Sequence, residues 1–215
     1  MQITNSNINF TSRNPVIRFA DDIARKINNE YPRLSSTKME GMAKSTNFTQ
    51  NIYQLHKKIN MMRFDILYMN LLKKNKYLER AKLLTDEIKI KKVGNCQESA
   101  ELAEIAARVN GIKACRIAGM TYKIGDEYES LDHAVLYVDT KKPYIIDPWL
   151  GFADYLPNAI KRFQKEYNAF FNFPKEIEDC KVKFDYITEK YTPTKEELES
   201  LRENFSNLII KKGSN

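Results

Sequence analysis

Gly94-Asn95-Cys96-Gln97-Glu98 runs directly into Ser99-Ala100-Glu101-Leu102-Ala103-Glu104-Ile105-Ala106-Ala107. The first five residues form a polar turn, and the next nine are good helix formers with apolar residues at helical spacing. The sequence therefore predicts a helix that opens at Asn95 or Cys96 and closes at Asn110-Gly111, where glycine can take the left-handed conformation that ends helices. A thiol at that opening feels the positive end of the helix dipole and N–H groups without intrahelical acceptors, which favours the thiolate. Cys96 is thus a candidate nucleophile. Ala100, Ala103, Ala106 and Ala107 make the helix slim enough to press against a sheet.

Such a sheet is expected immediately downstream. Residues 112 to 124 read as a strand, Gly125-Asp126-Glu127 as a turn, 131 to 138 as a second strand, Asp139 to Lys142 as a turn and 143 to 147 as a third strand. Consecutive strands with short connections imply antiparallel pairing. His133 opens the second strand, 37 residues after Cys96, and Asp147 closes the third, 14 residues further on. Cysteine, histidine and aspartate in that order supply a thiolate, a general base and a carboxylate that orients the base. Asp132 is expected on the opposite face of its strand from His133, which leaves Asp147 as the orienter. Trp149, the only tryptophan, is a candidate wall of a substrate cleft, with a core plug as the alternative.

Residues 1 to 14 are crowded with Asn, Ser and Thr and are expected to be a disordered N-terminal segment, either a frayed end or an export leader. Residues 15 to 215 are read as a single domain: a helical part over 15–92, a catalytic core over 93–190 and a C-terminal helix and tail over 191–215. Asn14-Pro15 caps a helix that runs to about Asn29. Tyr31-Pro32 ends it, and residues 33 to 47 read as a connecting segment. Ile52, Leu55, Ile59, Met62, Ile66, Met69 and Leu72 mark an amphipathic helix from about Phe48 to Leu72, and a further helix is expected from Lys76 to about Leu84. Past Gly151 the sequence predicts a helix over 156–170, a strand over 181–188, and a capping box at Thr194-Lys195-Glu196-Glu197 that opens a last helix to about Ser206.

Composition narrows the function further. No run of apolar residues is long enough for a membrane span, and the N-terminus lacks the basic-then-apolar order of a secretory signal, so a cytoplasmic protein or an effector secreted into a host cell is expected. Cys96, Cys115 and Cys180 are too few for a disulfide scaffold. Cys115 reads as core filler and Cys180 as structural or incidental. Two histidines and no Cys-x-x-Cys pair give a metal site little to build on, and no cofactor is expected. His56, among Gln54, Lys57 and Lys58, is assigned to the surface. The net charge of +7 is concentrated in lysine runs such as Lys57-Lys58, Lys73-Lys74 and Lys91-Lys92. These are read as solvated helix faces, with an acidic partner surface as the alternative; nucleic acid is an unlikely partner because no recognition motif accompanies the charge.

Taken together, Gly94-Asn95-Cys96-Gln97-Glu98 with its alanine-rich helix, Asp132-His133-Ala134-Val135, and Ile145-Ile146-Asp147-Pro148-Trp149 resemble the core of the transglutaminase-like and papain-like cysteine enzymes over roughly residues 94 to 151. Within them, the short spacings are most similar to bacterial toxin and effector domains that deamidate a glutamine on a host protein. The resemblance implies an α+β fold with a papain-like or transglutaminase-like core, its nucleophile-bearing helix packed on an antiparallel sheet behind an N-terminal helical extension. It makes Cys96 the nucleophile, His133 the base and Asp147 its orienter, acting on a protein substrate; a cysteine protease, a transglutaminase or other acyltransferase on the same fold, and a non-catalytic basic binding module are the alternatives. Papain-type proteases place an oxyanion-stabilising glutamine six residues before the nucleophile, where this sequence has Ile90.

Overall fold

Four strands joined by short turns make an antiparallel meander: β1 (Cys115–Ile124), β2 (Glu127–Val138), β3 (Tyr144–Asp147) and β4 (Phe152–Tyr155). A fifth, β5 (Asp185–Tyr186), pairs with the other side of β1, giving the order β4-β3-β2-β1-β5. The computed structural model describes residues 14–38, 49–72, 77–124, 126–156, 158–159, 161–163, 185–186 and 194–210. Residues 133–138 and 144–147 are buried throughout, which is why they appear in the sequence as unbroken apolar runs rather than alternating ones. Alternation persists in the partners. Leu136, Val138, Tyr144, Ile146 and Ala153 join a core shared with the helices, while Val135, Tyr137, Ile145 and Phe152 join Cys115, Ile117, Trp149 and Phe163 in a second core.

The helices are α1 (Pro15–Glu30), α2 (Thr49–Leu72), α3 (Tyr77–Lys91), α4 (Cys96–Val109) and α5 (Lys195–Asn204), the last followed by a 3-10 turn at Ser206–Leu208. The fold is α+β. Asn14 Oδ1 accepts the Val16 N–H at 2.9 Å and Pro15 fills the first helical position, so Asn14 belongs to the folded domain rather than to a loose segment. The apolar stripe Ile17, Ala20, Ile23, Ala24 and Ile27 seats α1 against the core. From the same face, Asp21 Oδ1 accepts the Ala153 N–H of β4 at 2.6 Å. α4 is buried from Glu98 to Val109 and packs on β2, but its first residue, Cys96, is half-buried and touches the second core. Among the described residues no helix is long and apolar enough to cross a membrane.

Several elements depart from the sequence reading. β2 begins at Glu127, the residue read as the end of a turn, and α3 continues to Lys91 because Leu84 and Ile88 keep burying one face past the expected end at Leu84. β4 is a strand that the sequence did not announce: Gly151, at φ 83°, turns the chain back so that Phe152–Tyr155 pairs with β3. The segment after α1 is more than a connection, since Leu34 bridges Val93 in parallel and residues 36–38 are helical. Of the region expected to be helical over 156–170, residues 156, 158–159 and 161–163 are helical; of the strand expected over 181–188, Asp185 and Tyr186 are. The remainder of these two segments, residues 1–13, residues 73–76 between the two expected helices, and Cys180 lie outside the described residues.

α3 ends at Lys92, which adopts φ 55° and then accepts the Leu34 N–H at 2.9 Å, starting the link that leads to Cys96. A side chain in this left-handed conformation costs about 1 kcal/mol that glycine avoids. Lys92→Gly is expected to raise Tm by about 2–4 °C in calorimetry.

Candidate functional site

His133 sits where β2 slips its register. Ala118 faces Ala134 and Met120 faces Leu131, so two residues of β2, Asp132 and His133, oppose the single Gly119 of β1. A bulge of this kind re-aims the side chain it carries. It also removes the strict alternation that put Asp132 on the opposite face; the Asp132 side chain lies outside the described residues. His133 Nε2 lies 2.7 Å from Asp147 Oδ2, both side chains being essentially inaccessible to solvent. Asp147 is fixed at its other oxygen as well, since Oδ1 accepts the Leu150 N–H at 3.0 Å and its carbonyl accepts the Gly151 N–H at 2.8 Å. Burial alone would lower the His133 pKa, but the charge and hydrogen bond of Asp147, joined by Cys96, outweigh it and raise the imidazole from 6.5 to about 9.

With Nε2 committed to Asp147, Nδ1 is the ring nitrogen left for a second partner, and the neighbouring Cys96 contributes to the raised imidazole pKa. The structure thus brings Cys96, His133 and Asp147 together from α4, β2 and β3. The α4 N-terminus is pinned on both sides of the sulfur. Glu98 Oε2 accepts the Asn95 N–H at 2.8 Å, and the same carboxylate takes a two-pronged bond from Arg63 of α2 at 2.6 and 3.0 Å. The Asn95 side chain accepts the Ser35 hydroxyl at 2.9 Å, and Ser35 Oγ in turn accepts the Trp149 indole N–H at 2.9 Å. One buried hydroxyl therefore ties the turn after β3 to the residue before the nucleophile. The Cys96 N–H stands at the first helical position, where no acceptor within the helix exists.

Trp149 is 4% exposed and its ring lies tilted against His133, with centroids 5.1 Å apart. It both fills the second core and walls the imidazole. Phe163 closes the other side edge-on at 5.5 Å and packs on Phe152 at 5.4 Å. The histidine is thus enclosed by aromatic rings while the sulfur beside it remains half-accessible. Ser35 and Phe163 were not singled out by the sequence, because each acts through a partner far along the chain and neither carries a local pattern; Asn95 was legible as the helix opening, but not its tie to Ser35. Ile90 is 73% exposed on α3 and offers nothing to the site in place of a glutamine. His56 is half-buried rather than superficial, with Nδ1 3.1 Å from Ser36 Oγ. Cys115 is buried, its thiol 3.9 Å from the Tyr137 carbonyl. Among the described residues no group of His, Cys, Asp and Glu is arranged to hold a metal ion.

The chain matches no family model, no curated protein and no solved structure.

The imidazole pKa is higher folded than unfolded, so the His133–Asp147 pair stabilises fully below 6.5 and loses that contribution as pH rises through about 9. Urea unfolding across this window should show a fall in stability that Asp147→Asn flattens. Ser35→Ala strands the Trp149 N–H and removes a donor from Asn95, at a cost of about 1–3 kcal/mol visible as a lowered urea midpoint.

Proposed function

We propose that this protein is a thiol-dependent amidohydrolase that deamidates a glutamine side chain of a partner protein. One observation carries the reading: a buried imidazole held at Nε2 by Asp147 shares its environment with a half-accessible thiol at a helix N-terminus. A pKa of about 9 gives His133 a proton to donate at neutral pH, beside a sulfur placed at the N-terminal end of α4 as the nucleophile.

In the first half-reaction the Cys96 thiolate forms a bond to the carboxamide carbon, and the carbonyl oxygen takes up the negative charge. The Cys96 N–H, at the first helical position, is the donor assigned to that oxyanion, a contribution of about 3 kcal/mol when aligned. His133 passes its proton to the nitrogen, the C–N bond breaks, and ammonia leaves a thioester. In the second, the now neutral His133 takes a proton from water as the water oxygen attacks the thioester carbon. The C–S bond breaks, the carboxylic acid departs, and the thiolate–imidazolium pair is restored. Asp147 moves no proton; it holds the ring in one orientation and stabilises its charged form.

The triad order, the helix carrying the thiol and the antiparallel sheet carrying the other two residues support a place among papain-like and transglutaminase-like enzymes. Deamidation is preferred over peptide cleavage because the papain-type glutamine is replaced by an exposed isoleucine.

Iodoacetamide is expected to label Cys96 much faster than Cys115 or Cys180, and Cys96→Ala should abolish ammonia release from glutamine-containing protein substrates without loss of the folded circular-dichroism spectrum. His133→Gln should lower turnover by roughly a hundred- to ten-thousand-fold. Fragments in place of an intact glutamate-bearing product would identify a peptidase instead. Wild-type turnover should decline as pH rises past about 9, where His133 no longer carries the proton it donates.

A further inference from the structure

A cavity of about 390 Å³ opens beside the candidate site, between the segment after α1 and the turn after β3. Its walls include two cationic side chains, Arg33 and Lys38, together with Asn28, Gly94 and Trp149, and no acidic residue among the described ones. Arg33 is held in place by three of its five N–H groups: Nε and one Nη donate to Ser99 Oγ at 3.0 and 2.8 Å, and the other Nη donates to the Tyr31 carbonyl at 2.8 Å. All its acceptors are neutral, and among the described residues no carboxylate lies within ion-pair distance of it. The two carboxylates whose charge reaches it are engaged elsewhere, Glu98 with Arg63 and the Asn95 N–H, Asp147 with His133 and the Leu150 N–H. Gly94 leaves room for this arrangement, since a Cβ there would stand 3.1 Å from Arg33 Cδ. Lys38 donates to the Trp149 carbonyl and lies 4.9 Å over the indole ring.

Arg33 is half-buried, and a guanidinium partly removed from water without an anionic partner gains from an incoming carboxylate through charge-assisted hydrogen bonds. The cavity also lies close to the sulfur. Trp149 touches His133 with its ring and lines the cavity, and Gly94 is two residues before Cys96, at most ~7 Å along the backbone. That distance spans about two residues of an extended peptide.

Resting on the amidohydrolase reading above, we infer that the Arg33–Lys38 cavity is a specificity pocket for the carboxylate of an aspartate or glutamate within about two residues of the target glutamine. Trp149 is the only tryptophan, so its fluorescence reads the occupancy of this pocket independently of turnover. Full-length protein is titrated with N-acetylglutamate, N-acetylglutamine and inorganic phosphate. A saturable change with N-acetylglutamate only is expected, with Kd raised about tenfold or more in Arg33→Gln and, as a second variant at the other cation, in Lys38→Gln. In parallel, ammonia release from acetylated glutamine pentapeptides should show kcat/KM raised about tenfold by glutamate beside the glutamine, mainly through KM, with that ratio falling towards one in both variants. No emission change, an equal change with N-acetylglutamine, or a response to phosphate alone overturns the inference whatever Cys96 does. An intact emission response in a protein whose Cys96 reacts no faster than Cys115 overturns the proposed reaction instead.

Discussion

Buried carboxylates on α4 are the constraint on which the arrangement depends. Glu98, Glu101 and Glu104 repeat every three residues along a helix rich in alanine and aliphatic side chains, and all three are at most 5% exposed. An ionised carboxylate in such a place needs a cation, and each is supplied by a different part of the chain. Arg63 of α2 binds Glu98, Arg80 of α3 binds Glu101, and Arg116 of β1 bridges Glu101 and Glu104, the latter also paired with Arg108. Arg108 lies 3.6 Å over the Tyr77 ring and so extends the set back to α3. Removing one member of such a network weakens the compensation of a buried charge. The outcome is one rotational setting for α4, and that setting leaves its N-terminal cysteine half-accessible.

The histidine is constrained in a complementary way. Its surroundings are apolar, which would favour the neutral ring, yet the adjacent carboxylate is itself fully buried and anchored at both oxygens. Attraction over 2.7 Å in a medium of low polarity prevails over the loss of solvation. Because Asp147 is braced by the backbone of the turn it starts, the ring is held by a rigid group rather than by another mobile side chain. The sheet bulge that delivers His133 lies midway along β2, near the Asp147–Gly151 turn that ends β3.

The sequence disclosed most where a property is local. The opening of α4, the pairing of β1 with β2 and of β2 with β3, and the three residues that converge all lie within about 55 residues and follow from spacing, turn chemistry and side-chain type. What it concealed is non-local. Phe152–Tyr155 is too short to show a period, and its strand character comes from the register imposed by β3 and the contact with Asp21. The hydroxyl of Ser35 looked like part of a connection because its partners are 60 and 114 residues away. The bulge at His133 has no counterpart in the alternation of apolar residues, since the unpaired residue is visible only once β1 is laid beside β2. Charge was legible in amount but not in use: arginines contributing to the basic excess are spent inside, against the acids of α4.

The contact between Asp21 and β4 has a consequence for how this molecule meets other polypeptides. β4 is an edge strand, and an edge with open N–H groups is a template on which a foreign strand can extend the sheet. Here the outward N–H of Ala153 is capped by a carboxylate from α1, and the residue itself is fully covered. The strand is also only four residues long. Recognition by backbone zippering is therefore closed on that flank, as is fibril-like stacking of one copy on another through it, and a protein that docks here must be read through its side chains.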